Sequence, residues 1–191
     1  QEFQSTMFTF FNNTCNINST NLDSYVFDAF NINEEYAIDN DLENPCKYYF
    51  NDTFNRKFSF EQDKTAFSIF HLNSQSLSAK YLNISDYISS LQHKFAIYAF
   101  SETWFKPTVS SLYNMPGYSF IHKSRDTRRG GGVCMYIDSM FSYQERDDLI
   151  FSNEFIDTLF VEISRKGQKN IIVGVVYKPP NFDSVVFNDL L

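Results

Sequence analysis

The sequence predicts an α/β fold built on a mixed sheet with flanking helices, and three observations carry that reading. Residues 66–72 (Ala-Phe-Ser-Ile-Phe-His-Leu) read as a strand. Leu77, Tyr81, Ile84, Ile88 and Leu91 then recur at steps of four, three, four and three, which is one face of a helix. Residues 95–100 (Phe-Ala-Ile-Tyr-Ala-Phe) form a second strand. Strand, helix and strand joined by short connections make a right-handed βαβ unit, or a close variant of one.

The elements follow in order. Residues 1–65 differ from the rest: Asn, Phe, Asp and Glu dominate without a sustained period, and Asn44-Pro45 breaks the one acidic stretch suited to a helix. This segment reads as an Asn/Phe-rich acidic leader, partly ordered at best, with phenylalanines able to dock on a neighbour. Residues 66–191 read as the folded domain. After Pro107 the joints lengthen, and Met115-Pro116-Gly117-Tyr118 marks a turn into a strand at 118–122. Three strands follow at 133–137, 159–163 and 171–177, with hairpin-like connections. The last, Ile-Ile-Val-Gly-Val-Val-Tyr, is apolar on both faces and so reads as a strand in the middle of a sheet, stopped by Pro179-Pro180. Asp183 offers an N-cap to a helix carrying Val185, Val186 and Leu190, so the domain reads as truncated at its C-terminus.

Composition narrows the class. With 191 residues, 43% hydrophobic and 18% aromatic, the chain can bury one sizeable core. No apolar run reaches bilayer length, and the Met7-to-Phe11 patch lacks the basic lead-in of a signal peptide. The expected location is intracellular, nuclear or cytoplasmic, without secretion or membrane association. Cys15, Cys46 and Cys134 are odd in number and far apart, which argues against a disulfide framework and a zinc knuckle. The net charge of −7 is unevenly spread: residues 1–65 hold 11 acids against 4 bases, and residues 66–191 hold 12 of each. The domain itself is neutral. Its densest basic run, residues 122–129, offers Arg125, Arg128 and Arg129 as phosphate contacts, or is a solvated loop between two strands.

Three polar residues fall at strand ends: Asn73, Glu102 and Tyr177. Open α/β sheets commonly place their chemistry at such mouths, where loops converge. Each residue also has a plain structural alternative. Asn73 could cap a turn, Glu102 could pair with a lysine, and Tyr177 could be a half-buried aromatic with a wet hydroxyl. Trp104 reads as a packing residue. Gly130-Gly131-Gly132 reads as a flexible entry to the next strand, with a phosphate-binding nest of N–H groups as the alternative.

Four motifs in order, Leu72-Asn73-Ser74-Gln75-Ser76-Leu77, Ser101-Glu102-Thr103-Trp104, Arg129-Gly130-Gly131-Gly132-Val133 and Gly174-Val175-Val176-Tyr177-Lys178-Pro179-Pro180, resemble the endonuclease/exonuclease/phosphatase family. Within it the chain looks most like the endonuclease domain of non-LTR (LINE-type) retrotransposons. The resemblance covers residues 66–191 and implies a partial four-layer α/β sandwich of the deoxyribonuclease I-like kind. It implies a DNA-nicking phosphodiesterase dependent on Mg²⁺ or Mn²⁺, with no small-molecule cofactor, and with a reverse transcriptase downstream in the full-length protein. By the same resemblance Glu102 is the metal ligand, Asn73 fixes the water or phosphate, and Tyr177 directs its phenol at a phosphate oxygen.

The sequence departs from the family beyond Tyr177. The family's Gly-Asp-x-Asn turn and its later Asp-His pair are both missing, and His71, His93 and His122 lie in no Ser-Asp-His context. His71 reads as a strand residue facing a packed layer. The expectation is therefore a fragment of a DNA endonuclease, inactive as an isolated chain. The alternative is a degenerate, non-catalytic relic or nucleic-acid-binding module of the same fold. A lipid or inositol phosphatase would share the fold, but the Ser-Glu-Thr-Trp and Arg-Gly-Gly-Gly runs speak against it. If the three residues form one site, Asn73 and Glu102 stand within roughly 3 to 6 Å of each other, and Tyr177 borders the same cleft at greater distance.

Overall fold

The computed structural model describes residues 6–11 as backbone, and residues 49–58, 67–106, 108, 111–125, 130–150, 155–180, 182, 183 and 187. Among them are two sheets and two α-helices, a mixed α/β arrangement with no closed barrel. The first sheet has five strands: β1 (Thr6–Phe11), β2 (Phe67–Asn73), β3 (Ile97–Ser101), β4 (Tyr118–Lys123) and β5 (Val133–Asp138), in the order β1-β2-β3-β5-β4. Only β2 and β3 run parallel, and the helix α2 (Leu77–Ser90) joins them, which is the expected strand-helix-strand unit. The second sheet orders β6 (Tyr143–Glu145), β7 (Asp157–Ile163) and β8 (Ile171–Tyr177) as an antiparallel meander.

Alternation along the strands divides the core into two layers. Phe70 and Leu72 of β2, Tyr98 and Phe100 of β3 and Tyr136 of β5 point to one face, where Leu77, Ile84 and Ile88 of α2 cover them. The intervening residues, Phe67, Ile97, Ala99, Val133, Met135 and Ile137, point to the other face. There they pack on Leu159, Val161, Ile163, Val173 and Val175 of the second sheet. The result is a helix layer, a five-stranded sheet and a three-stranded sheet. All six residues of β5 are buried, as befits a strand covered on both faces.

Two expectations are modified. Residues 1–65 contribute two elements to the domain: β1 pairs antiparallel with β2, and α1 (Asn51–Phe58) inserts Phe54 into the helix-side core at 1% exposure. The ring of Phe54 stacks at 6.1 Å on Phe95. Spacing along eight residues is too short for a clear helical period, so α1 is set by this tertiary contact rather than by its own pattern.

The second change concerns β8, which among the described strands lies at a sheet edge. Among the described residues it pairs with β7 alone, and only Val173 and Val175 are buried; Ile172 is 52% exposed and Gly174 is exposed. A run of β-branched residues reports strand geometry, but not whether a second layer covers both faces. Gly174 has a local reason: its partner Phe160 lays its ring where a Cβ would stand. The helix expected after Asp183 falls mostly outside the described residues, although the Phe187 N–H does donate to the Asp183 carbonyl at 3.1 Å. No helix among the described residues is long and apolar enough to cross a membrane.

Candidate active site

Parallel pairing sets the first contact of the site. The register places Asn73 beside Ser101 at the C-terminal ends of β2 and β3, so Glu102 emerges next to Asn73. Asn73 Nδ2 donates to Glu102 Oε1 at 2.9 Å, and Asn73 Oδ1 accepts the Gln75 N–H at 3.2 Å. The second bond fixes the amide's orientation, with its nitrogen toward the carboxylate. Tyr177 arrives from the other sheet, because β8 lies against β3 and β5 across the inter-sheet core. Burial pushes the Tyr177 phenol above its ordinary pKa. The charge of Glu102 and its hydrogen bond with the phenol add to that, and Arg125 opposes it. All three side chains are half-buried. Tyr177 thus stands near enough, from the facing sheet, for the Glu102 charge to act on its phenol.

The loops holding Glu102 are stitched on both sides. Toward α2, the Ser74, Ser76 and Ser78 N–H groups donate to the carbonyls of Ser101, Glu102 and Thr103 at 2.9, 2.8 and 3.2 Å. Ser76 also caps α2, its hydroxyl accepting the Ala79 N–H at 3.3 Å. Toward β5, the Thr103 and Trp104 N–H groups donate to Gly132 and Gly131 carbonyls at 3.2 and 3.0 Å. This lacing keeps Glu102 and Trp104 at φ +54° and +52°, a left-handed conformation that costs of order 1–3 kcal/mol each in a non-glycine residue. Thr103, between them, is fully buried, and its Oγ1 has no partner among the described residues.

Gly131 and Gly132 answer a steric demand rather than supplying a flexible entry. A Cβ on Gly131 would stand 2.5 Å from Asp157 Oδ2, and one on Gly132 would stand 2.6 Å from Thr103 Oγ1. The nest alternative is answered too: the Gly132 N–H donates at 2.9 Å to Asp157, so the protein's own carboxylate takes the anion position. Asp157 was hidden from sequence reasoning because the strand was expected to start at residue 159, two residues after it. An acid heading the alternating Asp-Thr-Leu-Phe-Val-Glu-Ile run was the available signal.

Arg125 corrects another expectation. Its Nε and Nη2 both bind the Asp157 carboxylate at 2.8 Å, and Nη2 also donates to the Phe155 carbonyl at 2.6 Å. The pair is 14% and 12% exposed, and the guanidinium carbon lies 5.6 Å from the centre of the Tyr177 ring. Arg125 is therefore a brace under Tyr177 rather than an exposed phosphate contact, because its charge is neutralised in a bidentate pair. Arg128 and Arg129 lie outside the described residues. Of the same run, Lys123 pairs with Asp147 at 3.2 Å, and burial lowers the pKa of His122. No group of three or more His, Cys, Asp or Glu placed to hold a metal occurs among the described residues. Compared with known protein-family models and with curated proteins, the chain matches none.

Proposed function

We propose that this chain carries the Asn–Glu–Tyr half of a metal-dependent DNA phosphodiesterase site, in a domain of the endonuclease/exonuclease/phosphatase class most like the endonucleases of non-LTR retrotransposons. The observation that carries the reading is the 2.9 Å contact between Asn73 and Glu102 at adjacent parallel strand ends, with Tyr177 facing that pair from the second sheet and its phenol shifted by the Glu102 charge. The helix, sheet, sheet layering supports three layers of a deoxyribonuclease I-like sandwich, with the fourth unrepresented among the described residues.

The donor set suits a hard cation that keeps most of its water: one carboxylate, Glu102, with a carboxamide beside it. Glu102 would hold Mg²⁺ or Mn²⁺, and the bound ion would polarise the scissile phosphate and steady the leaving oxygen. Asn73 Nδ2 has a second hydrogen to offer a phosphate oxygen or a water once its amide is pinned by Gln75. Tyr177, with its pKa raised, stays protonated well above neutrality, so its phenol is a constant donor toward charge growing on the phosphate. Among the described residues, no histidine or second carboxylate joins Glu102 to take the proton of an attacking water, Asp157 being tied to Arg125. A transition state without them loses several kcal/mol, each about 1.4 kcal/mol being tenfold in rate. The chain alone is therefore expected not to nick supercoiled DNA with either cation.

The test separates site from activity. Mn²⁺ should broaden the NMR signals of Asn73, Glu102 and Tyr177, and Glu102→Gln should abolish that broadening. If the variant broadens like the parent, the metal-ligand role of Glu102 is wrong. Clear nicking by pure protein, lost in Glu102→Ala, would instead overturn the expected inactivity. The lack of a multi-acid cluster among the described residues favours a second reading, a nucleic-acid-binding module of the same fold without catalysis. It predicts DNA binding with no Mn²⁺ effect at Glu102.

A further inference from the structure

The segment that follows Glu102 forms one wall of a groove with no role in the half-site. Its volume is about 360 Å³, and it is lined by Ser78 and Ala79 of α2 and by Trp104, Phe105, Lys106 and Tyr113. We propose that this groove is a nucleotide subsite: one base of the strand held at Glu102 stacks on the Trp104 indole, and a flanking phosphate meets the Lys106 ammonium. The inference rests on the nucleic-acid reading above and adds where the neighbouring nucleotide goes.

Four observations carry it. Trp104 was expected to pack, yet it is 37% exposed, and its backbone is held at φ +52° by the bond from its N–H to the Gly131 carbonyl. A strained backbone that turns a large aromatic side chain partly outward costs stability, and such strain concentrates where ligands are gripped. Second, the floor is aromatic and firm: Phe105 is buried and lies 4.6 Å from Tyr113, ring centre to ring centre. Third, no carboxylate lines the groove among the described residues although the whole chain is net −7, and Lys106 is exposed at its rim. The first turn of α2 adds the positive end of a 14-residue helix. Fourth, Trp104 is two residues beyond Glu102, so their Cα atoms are at most about 7 Å apart. A base on Trp104 therefore belongs to the nucleotide next to the one at Glu102. Every base has a π-face, so such a platform tolerates any sequence.

Trp104 is the chain's single tryptophan, so its fluorescence reports on this groove alone. The full chain should be titrated with a short dye-labelled oligothymidylate, following anisotropy for binding and tryptophan emission for stacking. The expected result is saturable quenching with the same midpoint as the anisotropy change. Trp104→Ala should weaken binding about tenfold, and Trp104→Phe, which keeps a ring, should recover most of that loss. Lys106→Ala should lower the slope of log affinity against log salt by about one. Binding by anisotropy with unmoved emission, and unchanged affinity in Trp104→Ala, would overturn the subsite and leave the phosphodiesterase reading standing. No binding of the oligonucleotide at all would overturn both. The emission readout uses the unmodified chain, so it holds even if Trp104→Ala fails to fold.

Discussion

Glu102 is held in place by backbone rather than by side-chain partners alone. Its left-handed φ, and that of Trp104, survive because hydrogen bonds from the α2 side and the glycine loop hold the segment between them. At Gly132 a Cβ would meet Thr103 Oγ1 at φ +81°, whereas Gly117, at φ +82°, has open space around its missing Cβ. Gly132→Ala should therefore cost about 2 kcal/mol or more, and Gly117→Ala about 1 kcal/mol from backbone strain alone. Urea unfolding of the two variants checks this; equal losses would mean the glycine loop does not clamp the site. Asp157→Asn weakens a part-buried pair and should cost about 1–3 kcal/mol. It also removes a charge that raises the Tyr177 pKa, so that pKa should fall if Arg125 stays at the ring and rise if Arg125, the stronger opposing influence, drifts away; a pH titration of the Tyr177 NMR signal distinguishes the two. Asn73, Glu102 and Tyr177 were legible because each is a polar residue ending an apolar strand. Arg125 and Asp157 were not, because a contact across 32 residues between two loop-edge charges leaves no local pattern.

At the scale of elements, the strands and α2 were legible because their apolar periods are long and their stops are marked by Pro, Gly or polar residues. α1 and β1 were not, since each depends on β2 and on the aromatic layer for its burial or pairing. Phe54→Ala tests whether α1 is integral: removing a ring at 1% exposure should cost about 3–5 kcal/mol, enough to unfold a marginal domain. A loss below about 1 kcal/mol would make α1 an appendage. His93 ties the same elements together, its Nδ1 bonded to the Phe58 carbonyl at 3.1 Å and its Nε2 to Ser68 Oγ at 2.9 Å. A carbonyl only accepts, so Nδ1 carries the proton and neutral Nε2 accepts from the buried Ser68 hydroxyl. Burial lowers the pKa of His93, against the raising effect of Phe58, and burial lowers those of His71 and His122 as well. A histidine pKa below its ordinary 6.5 means that the unfolded chain binds more protons. Stability is thus fully present above pH 6.5 and falls as pH drops through the lowered native values. Melting should be lower at about pH 5.5 than at about pH 7.5, and His93→Gln should flatten the difference. An unchanged difference would assign it to the other two histidines.

On the scale of the whole molecule, the second sheet presents an outer face and an open edge that no described element covers. Along β8, Ile172 is 52% exposed, Gly174 is exposed and Val176 is half-buried, and the strand carries neither a charge nor a proline. Natural edge strands are usually blunted by such residues, since free N–H and C=O groups on an apolar strand recruit another chain. The opposing force is charge. At a net −7 the chain repels its copies over a Debye length of about 10 Å at 0.1 M salt, and less as salt rises. Self-association and binding of a hydrophobic dye should therefore increase from low to high ionic strength, the opposite of an assembly held by ion pairs. Ile172→Lys puts a charge on the exposed edge without touching Val173 or Val175, so it should restore monomers at high salt while leaving the melting temperature within about 2–4 °C. Sedimentation velocity across a salt series measures both effects. Association that weakens with salt, or that Ile172→Lys leaves unchanged, would show that the exposed edge of β8 is not the surface through which copies meet.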